Sequence, residues 1–187
     1  MRVLKLTVLL LVLGLLGWSG SAFAQGKDGK DAKPSYEFDL KEVGGKEHVT
    51  FQELADSGRP FLLFFWISEC PQCKRQLPFV ELMYRNMQKY DVGVDIYTIN
   101  ADKVEEQAEA TILERGLQAP VLWDPDVKQT EISMDMREKG TPRVWIFKPG
   151  GELVEDFGSF NSNLMVYALD KMGVELPKDL AHLKPKS

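Results

Sequence analysis

Hydrophobic and polar positions change rhythm several times along the chain, and each change marks an element. From Tyr36 the segment YEFDL alternates, Gly44-Gly45 supplies a turn, and KEHVT can return as a second strand. Thr50-Phe51-Gln52-Glu53 has capping-box form and predicts a short helix to about Asp56, closed by Gly58-Arg59-Pro60. Phe61 to Ile67 is a continuous apolar run, which suits a strand buried on both faces. From Pro71 to about Tyr90 the period becomes helical, with Val80, Met83, Tyr84 and Met87 on one face. Pro78 falls inside that helix and should kink it. Val92 to Asn100 is a second β-rich run. A helix follows from about Asp102 to Arg115, with Val104, Ala108, Thr111 and Ile112 turned inward and Gly116 as its stop.

PVLWDPD at 120–126 reads as a short extended piece, and a weaker helical segment runs on to about Lys139. Arg143 to Lys148 is a strand, Pro149-Gly150-Gly151 a turn, and Glu152 to Gly158 the hairpin partner. Asn161 or Ser162 caps a last helix carrying Leu164, Ala168 and Met172, ended by Gly173. This order predicts an α/β fold: a mixed central sheet with helices on both faces, an N-terminal β extension and an inserted helical segment. The strand before the cysteines would be central, and its end would deliver them to a helix N-terminus.

The two ends of the chain read differently. Arg2 and Lys5 precede an apolar stretch from Leu6 to Leu16, and Ala22-Phe23-Ala24 has the form of a cleavage site. Residues 1–24 are therefore expected to be a cleavable signal peptide, with Gln25 as the mature N-terminus. The apolar stretch is short beside the roughly 20 residues a membrane span needs, so membrane contact is expected only if this leader stays uncleaved. Residues 25–35 are polar and rich in Gly and Lys, a flexible linker. The folded domain is expected over 36–173, and the proline-bearing tail, 174–187, is expected to be loose.

Composition changes this picture in two ways. At 187 residues, 44% hydrophobic and 27% charged, the chain can build one ordinary core and needs no covalent scaffold. Removing the leader takes Arg2 and Lys5 and no acids, which turns a formal charge of −5 into −7. That balance, without a basic patch interleaved with aromatics, argues against a nucleic-acid partner.

The candidate chemistry lies in the chain's two cysteines, Cys70 and Cys73. Export would place them where disulfides persist. Three readings fit a CxxC pair. A zinc site needs two further ligands, and only His48 and His182 are on offer among the imidazoles. A structural staple closing so small a loop removes little unfolded-state entropy. In the third reading the pair exchanges electrons. Pro71 suits the first helical position, which puts Cys70 near the N-cap, facing free backbone N–H groups and the positive end of the helix dipole. Both favour thiolate, so the Cys70 pKa should fall below its free value of about 8.5. Cys73, one turn inside, should be the sheltered resolving thiol. Lys74 adds a nearby positive charge and Glu69 an opposing negative one.

With FFWISECPQCK, Pro78 five residues past the second cysteine, PVLWDPD, and GTPRVWIFKPGGEL in place, the chain resembles the thioredoxin superfamily. The resemblance is to the exported TlpA/ResA-like thiol–disulfide oxidoreductases, and it covers about Tyr36 to Met172. It implies a thioredoxin-like fold and a redox disulfide between Cys70 and Cys73 as the catalytic pair. It implies a cis peptide at Thr141-Pro142 beside them, with Pro71, Gln72, Thr141 and Pro142 contacting substrate. It implies no cofactor, protein disulfide or dithiol substrates, a membrane electron donor, a periplasmic or other extracytoplasmic location, and, by analogy, a place in cytochrome c maturation.

Four positions depart from the family pattern. Phe64 stands where thioredoxins bury an Asp, and Gln76 where many TlpA/ResA-like proteins carry a Glu. Glu69 replaces a common Trp, and Pro comes first inside the pair. Proton transfer to or from the resolving cysteine then falls to water or to another carboxylate such as Glu69 or Glu81. The same pair could also run in reverse as a disulfide-donating oxidase. A third possibility is a non-catalytic binding or metal-delivery module.

Overall fold

Among the described residues, seven strands are laid down in the order the apolar runs predict, and they pair into one mixed sheet. In chain order these are β1 (Asp39–Glu42), β2 (His48–Thr50), β3 (Phe61–Trp66), β4 (Asp95–Asn100), β5 (Val121–Trp123), β6 (Arg143–Phe147) and β7 (Leu153–Phe157). The helices are α1 (Phe51–Asp56), α2 (Pro71–Tyr90), α3 (Glu105–Arg115), α4 (Thr130–Met134), α5 (Met136–Lys139) and α6 (Ser162–Lys171). The computed structural model describes residues 36–159 and 161–175. The leader, the linker and the tail beyond Glu175 lie outside the described residues. Among the described residues no helix is long and apolar enough to cross a membrane.

The sheet order is β2-β1-β5-β4-β3-β6-β7. Strand β3 runs parallel to β4 and antiparallel to β6, so both of its edges are paired. All six of its side chains are 0% exposed, which is what a run without polar alternation requires. They divide by parity. Leu62, Phe64 and Trp66 pack with Cys73, Leu77, Val80, Met83 and Met87 of α2 and with Val166, Ala168 and Leu169 of α6. Phe61, Leu63 and Phe65 face Tyr36, Phe38, α1 and the aromatics of β6 on the other side. Helices thus cover both faces, and the central strand carries the chain straight to Cys70.

Helix α1 forms where the capping box predicts it. Thr50 Oγ1 accepts from the Glu53 N–H at 3.1 Å, and the Glu53 carboxylate accepts from the Thr50 N–H at 2.8 Å. The β6–β7 turn rests on this helix: Gly151, at φ +74°, has Ala55 Cβ and Phe51 Cε1 each 3.0 Å from where a Cβ would lie. Only glycine satisfies both the conformation and the space.

Two expectations need correction. Helix α3 begins at Glu105, not near Asp102, and Val104 is 48% exposed rather than turned inward. The residues before it have other work. The Asp102 N–H donates to Asn100 Oδ1, and its carboxylate accepts from the Ser68 N–H and from Asn100 Nδ2. A backbone held in that local turn cannot also open a helix. The β-rich run likewise starts late, at Asp95, because Gly93 adopts φ +70°. Helix α2, by contrast, runs unbroken through Pro78, which withdraws one N–H and frees the Lys74 carbonyl.

The β1–β2 hairpin extends the sheet beyond β5, an adjacency that nothing local in the sequence announces. It is tied to α3 by Glu105, which accepts from Lys41 Nζ at 2.7 Å and from the Gly44 N–H at 2.9 Å. These bonds, the lysine's first, hold the Glu105 carboxyl below the usual carboxylate range. Its folded-state value therefore lies below the unfolded value of about 4.3. The stability from this tie is complete above the unfolded value and is lost as pH falls through the folded one. Glu105→Gln is expected to weaken the fold at neutral pH and to flatten the acid limb of its stability curve. Urea unfolding across that limb checks this, and parallel curves for the two chains would refute it.

Candidate redox site

The site is built where β3 ends. The chain leaves the sheet at Trp66 and turns through Ile67, Ser68 and Glu69, with the Cys70 N–H bonded to the Ile67 carbonyl at 3.2 Å. It then enters α2 at Pro71. Cys70 is the N-cap, and its Sγ accepts from the Cys73 N–H at 3.1 Å. Proline at the first helical position removes an N–H that would have no partner there. Cys70 and Cys73 are joined by a disulfide. Cys70 is half-buried, while Cys73 is 0% exposed and packed into the core under α2. Pro71 and Gln72 are exposed between them.

The turn before Cys70 is anchored from beneath. Ser68 is buried; its N–H reaches Asp102 Oδ1 at 2.9 Å, and its hydroxyl lies against Asp102 Oδ2 and accepts from Thr111 Oγ1 at 2.8 Å. Asp102 is itself buried and also binds Asn100, while Trp123 Nε1 donates to its carbonyl. This network joins the ends of β3, β4 and β5 to α3. Sequence reasoning missed it, since Ser68 and Asp102 lie 34 residues apart and neither stands in a motif.

The second wall of the site comes from the loop before β6, the strand paired directly beside β3. Thr141-Pro142 is a cis peptide, Pro142 is buried, and the Thr141 carbonyl oxygen lies 3.9 Å from Cys70 Sγ. A disulfide sulfur has no proton to give, so this is a contact rather than a hydrogen bond. The paired ladder of β6 begins at Arg143, which leaves Thr141 just outside it. Cys70, Pro71, Gln72 and Cys73, at the N-terminus of α2, and Thr141 and Pro142, on the loop before β6, thus meet at one sulfur.

Two of the four positions that depart from the family pattern are neutral and inside. Phe64 is fully buried beneath α2, and Gln76 is buried on the face of α2 that carries Cys73. Neither can ionise. Glu81 is not placed to replace them: eight residues past Cys73 in one helix, it stands about 12 Å further along the axis. Its carboxylate is occupied there by Arg85 at 2.6 Å and by the N–H groups of Gln118 and Ala119 at 2.9 and 3.1 Å. Glu69 is exposed beside the pair. His48 bonds to Asp39 on the distant hairpin, and His182 lies outside the described residues. Among the described residues no group of three or more His, Cys, Asp or Glu side chains is placed to hold a metal ion.

Comparison with known proteins agrees with this geometry. Thiol-disulfide oxidoreductase ResA of Oceanobacillus iheyensis is 29% identical over 126 residues, a match spanning 67% of this chain and 62% of that relative. Sporulation thiol-disulfide oxidoreductase A of Bacillus subtilis is 28% identical over 120 residues, 64% of this chain and 69% of the relative. Among solved structures, the thioredoxin domain of a thiol-disulfide oxidoreductase from Bacteroides vulgatus superposes with TM-score 0.58 at 20% identity, covering 75% of this chain and 92% of that one. StoA from Bacillus subtilis superposes with TM-score 0.56 at 23% identity, covering 71% and 95%. The fold is thioredoxin-like. The family model described as AhpC/TSA family matches residues 30–156, well over half of the sequence, and the chain belongs to that family.

Proposed function

We propose that the protein is an extracytoplasmic thiol–disulfide oxidoreductase that reduces protein disulfides through Cys70 and Cys73. The observation that carries this reading is the pair itself: a Cys70–Cys73 disulfide at the N-terminus of α2, with the Thr141 carbonyl beside the outer sulfur. The names of the relatives point the same way.

In the reduced protein, the Cys73 N–H and the positive end of α2 stabilise a thiolate on Cys70. That thiolate attacks one sulfur of a substrate disulfide. A mixed disulfide forms, and the first substrate sulfur leaves as thiolate. Cys73 then loses its proton and attacks Cys70 Sγ, which expels the second substrate sulfur. The substrate gains two electrons and the protein ends as the Cys70–Cys73 disulfide. Pro71, Gln72, Thr141 and Pro142 form the surface against which the substrate segment lies, with the Thr141 backbone outside the β6 ladder and open to an extended chain. Phe64 and Gln76 supply no proton relay, so water or the exposed Glu69 serves Cys73. A membrane dithiol donor would return the two electrons, the leader at residues 1–24 would place the domain outside the cytosol, and cytochrome c maturation is one setting for such a reductase.

The Pro-first dipeptide favours a second reading, in which the same pair donates its disulfide. Equilibration with glutathione separates them. A potential below about −220 mV is expected for the reductant, whereas a value near −120 mV would overturn that direction and leave the oxidase. A protein that shows no thiol–disulfide exchange at all would refute both.

A further inference from the structure

The loop Gly140-Thr141-Pro142 is bracketed by two cations, Lys139 at the end of α5 and Arg143 at the start of β6. Both reach the same carboxylate. Asp156 of β7 accepts from Lys139 Nζ through Oδ2 at 3.3 Å and from Arg143 Nε through Oδ1. The three side chains are only 20–31% exposed, so the pairs are shielded better than those on open surface. Lys139 Nζ also stands 4.4 Å from the centroid of the buried Trp145 ring, and Trp145 lies opposite Asp156 in the β6–β7 register. At the other shoulder of the loop, the Gly140 N–H closes α5 on the Met136 carbonyl at 2.8 Å, and φ +70° at Gly140 lets the chain reverse.

We propose that Asp156 is a positioning residue for polypeptide substrates: one carboxylate clasps positions 139 and 143 and thereby holds the Thr141 backbone opposite Cys70. The inference rests on the reading of Cys70 as the attacking sulfur. The Cys70–Cys73 pair is anchored separately, through Ser68 and Asp102, so the clasp can be opened without disturbing it. Without the carboxylate, Lys139 and Arg143 become unscreened like charges on either side of three residues, and the loop drifts from its place. An extended protein segment needs that loop as its template. A small disulfide needs only the sulfur.

The test compares Asp156→Asn and Asp156→Glu with the parent chain on two disulfides, reduced insulin-chain release and an aromatic small-molecule disulfide, alongside equilibration with glutathione. Asp156→Asn is expected to lower kcat/KM for insulin roughly ten- to a hundredfold, chiefly through KM, because misplacing a docking surface by about 1 Å costs that much. Turnover of the small disulfide and the Cys70–Cys73 equilibrium should stay within about twofold, and Asp156→Glu should restore much of the loss. Lys139→Met removes one arm and leaves Arg143 paired; it should move the insulin KM the same way by a smaller factor, which keeps the idea testable if Asp156→Asn folds poorly. Proportional losses on both disulfides, or an unchanged insulin KM, would overturn the clasp while leaving the oxidoreductase intact. A parent chain inactive on both disulfides would instead overturn the oxidoreductase reading and this inference with it.

Discussion

Cys70→Ala is expected to abolish protein-disulfide reduction, with a loss of at least about a thousandfold in kcat/KM. The size follows from what remains. Cys73 has no exposed surface and lies in the core beneath α2, so no other sulfur can reach a substrate. Hydrogen bonding at the N-cap cannot compensate, because the Cys73 N–H then has no sulfur to support. Cys73→Ser should behave differently. The first attack still proceeds, so a stoichiometric mixed disulfide with Cys70 accumulates while turnover stops. Dithiol-driven insulin reduction reads the loss of turnover, and mass measurement after mixing the pre-reduced variant with insulin in the absence of dithiol reads the adduct, which distinguishes the two. Undiminished activity in Cys70→Ala would sink the proposed mechanism.

Phe147→Ala should cost about 3–5 kcal/mol, the usual range for emptying a buried aromatic site. Phe147 is fully buried at the end of β6 and stacks on Phe61 at 4.6 Å. It also meets Tyr36 edge-on at 5.5 Å and Phe51 at 5.2 Å. Removing it therefore loosens the central strand, helix α1 and the segment before β1 together, and rigid neighbours from these three segments leave the cavity little room to collapse. Against a total stability of about 5–15 kcal/mol, such a loss is large. A urea titration followed by tryptophan emission reads it directly, since Trp145 lies 6.2 Å from the Phe147 ring. A change below about 1 kcal/mol would mean that the cluster repacks freely.

Much of this architecture was legible from local pattern. The apolar run of β3, the capping box of α1, proline behind Cys70 and the glycines ending α3 and α6 each state a conformational demand within a few residues. The site was legible for the same reason: CxxC after a buried strand and Gly-Thr-Pro before another are both short motifs. What stayed hidden depends on distance in sequence. The pairing of β1 with β5 joins residues about 80 apart through backbone alone, and backbone hydrogen bonds carry no letter code. Ser68 and Asp102 are ordinary residues until the fold brings them together. Val104 was misread because the 3.6-residue period of α3 extends naturally back to it, whereas Asp102 and Asn100 claim the preceding backbone for a turn.

The outer strands of the sheet also decide how the molecule behaves in a crowd. One border, β2, has only three residues, too few backbone groups to template another chain. The other, β7, sets Glu155 and Asp156 side by side in five residues. A neighbouring chain that tried to add a strand there would have to strip water from Asp156 and from the two cations it holds, Lys139 and Arg143. The charged cluster that orders the loop beside Cys70 therefore also discourages fibre-like self-association.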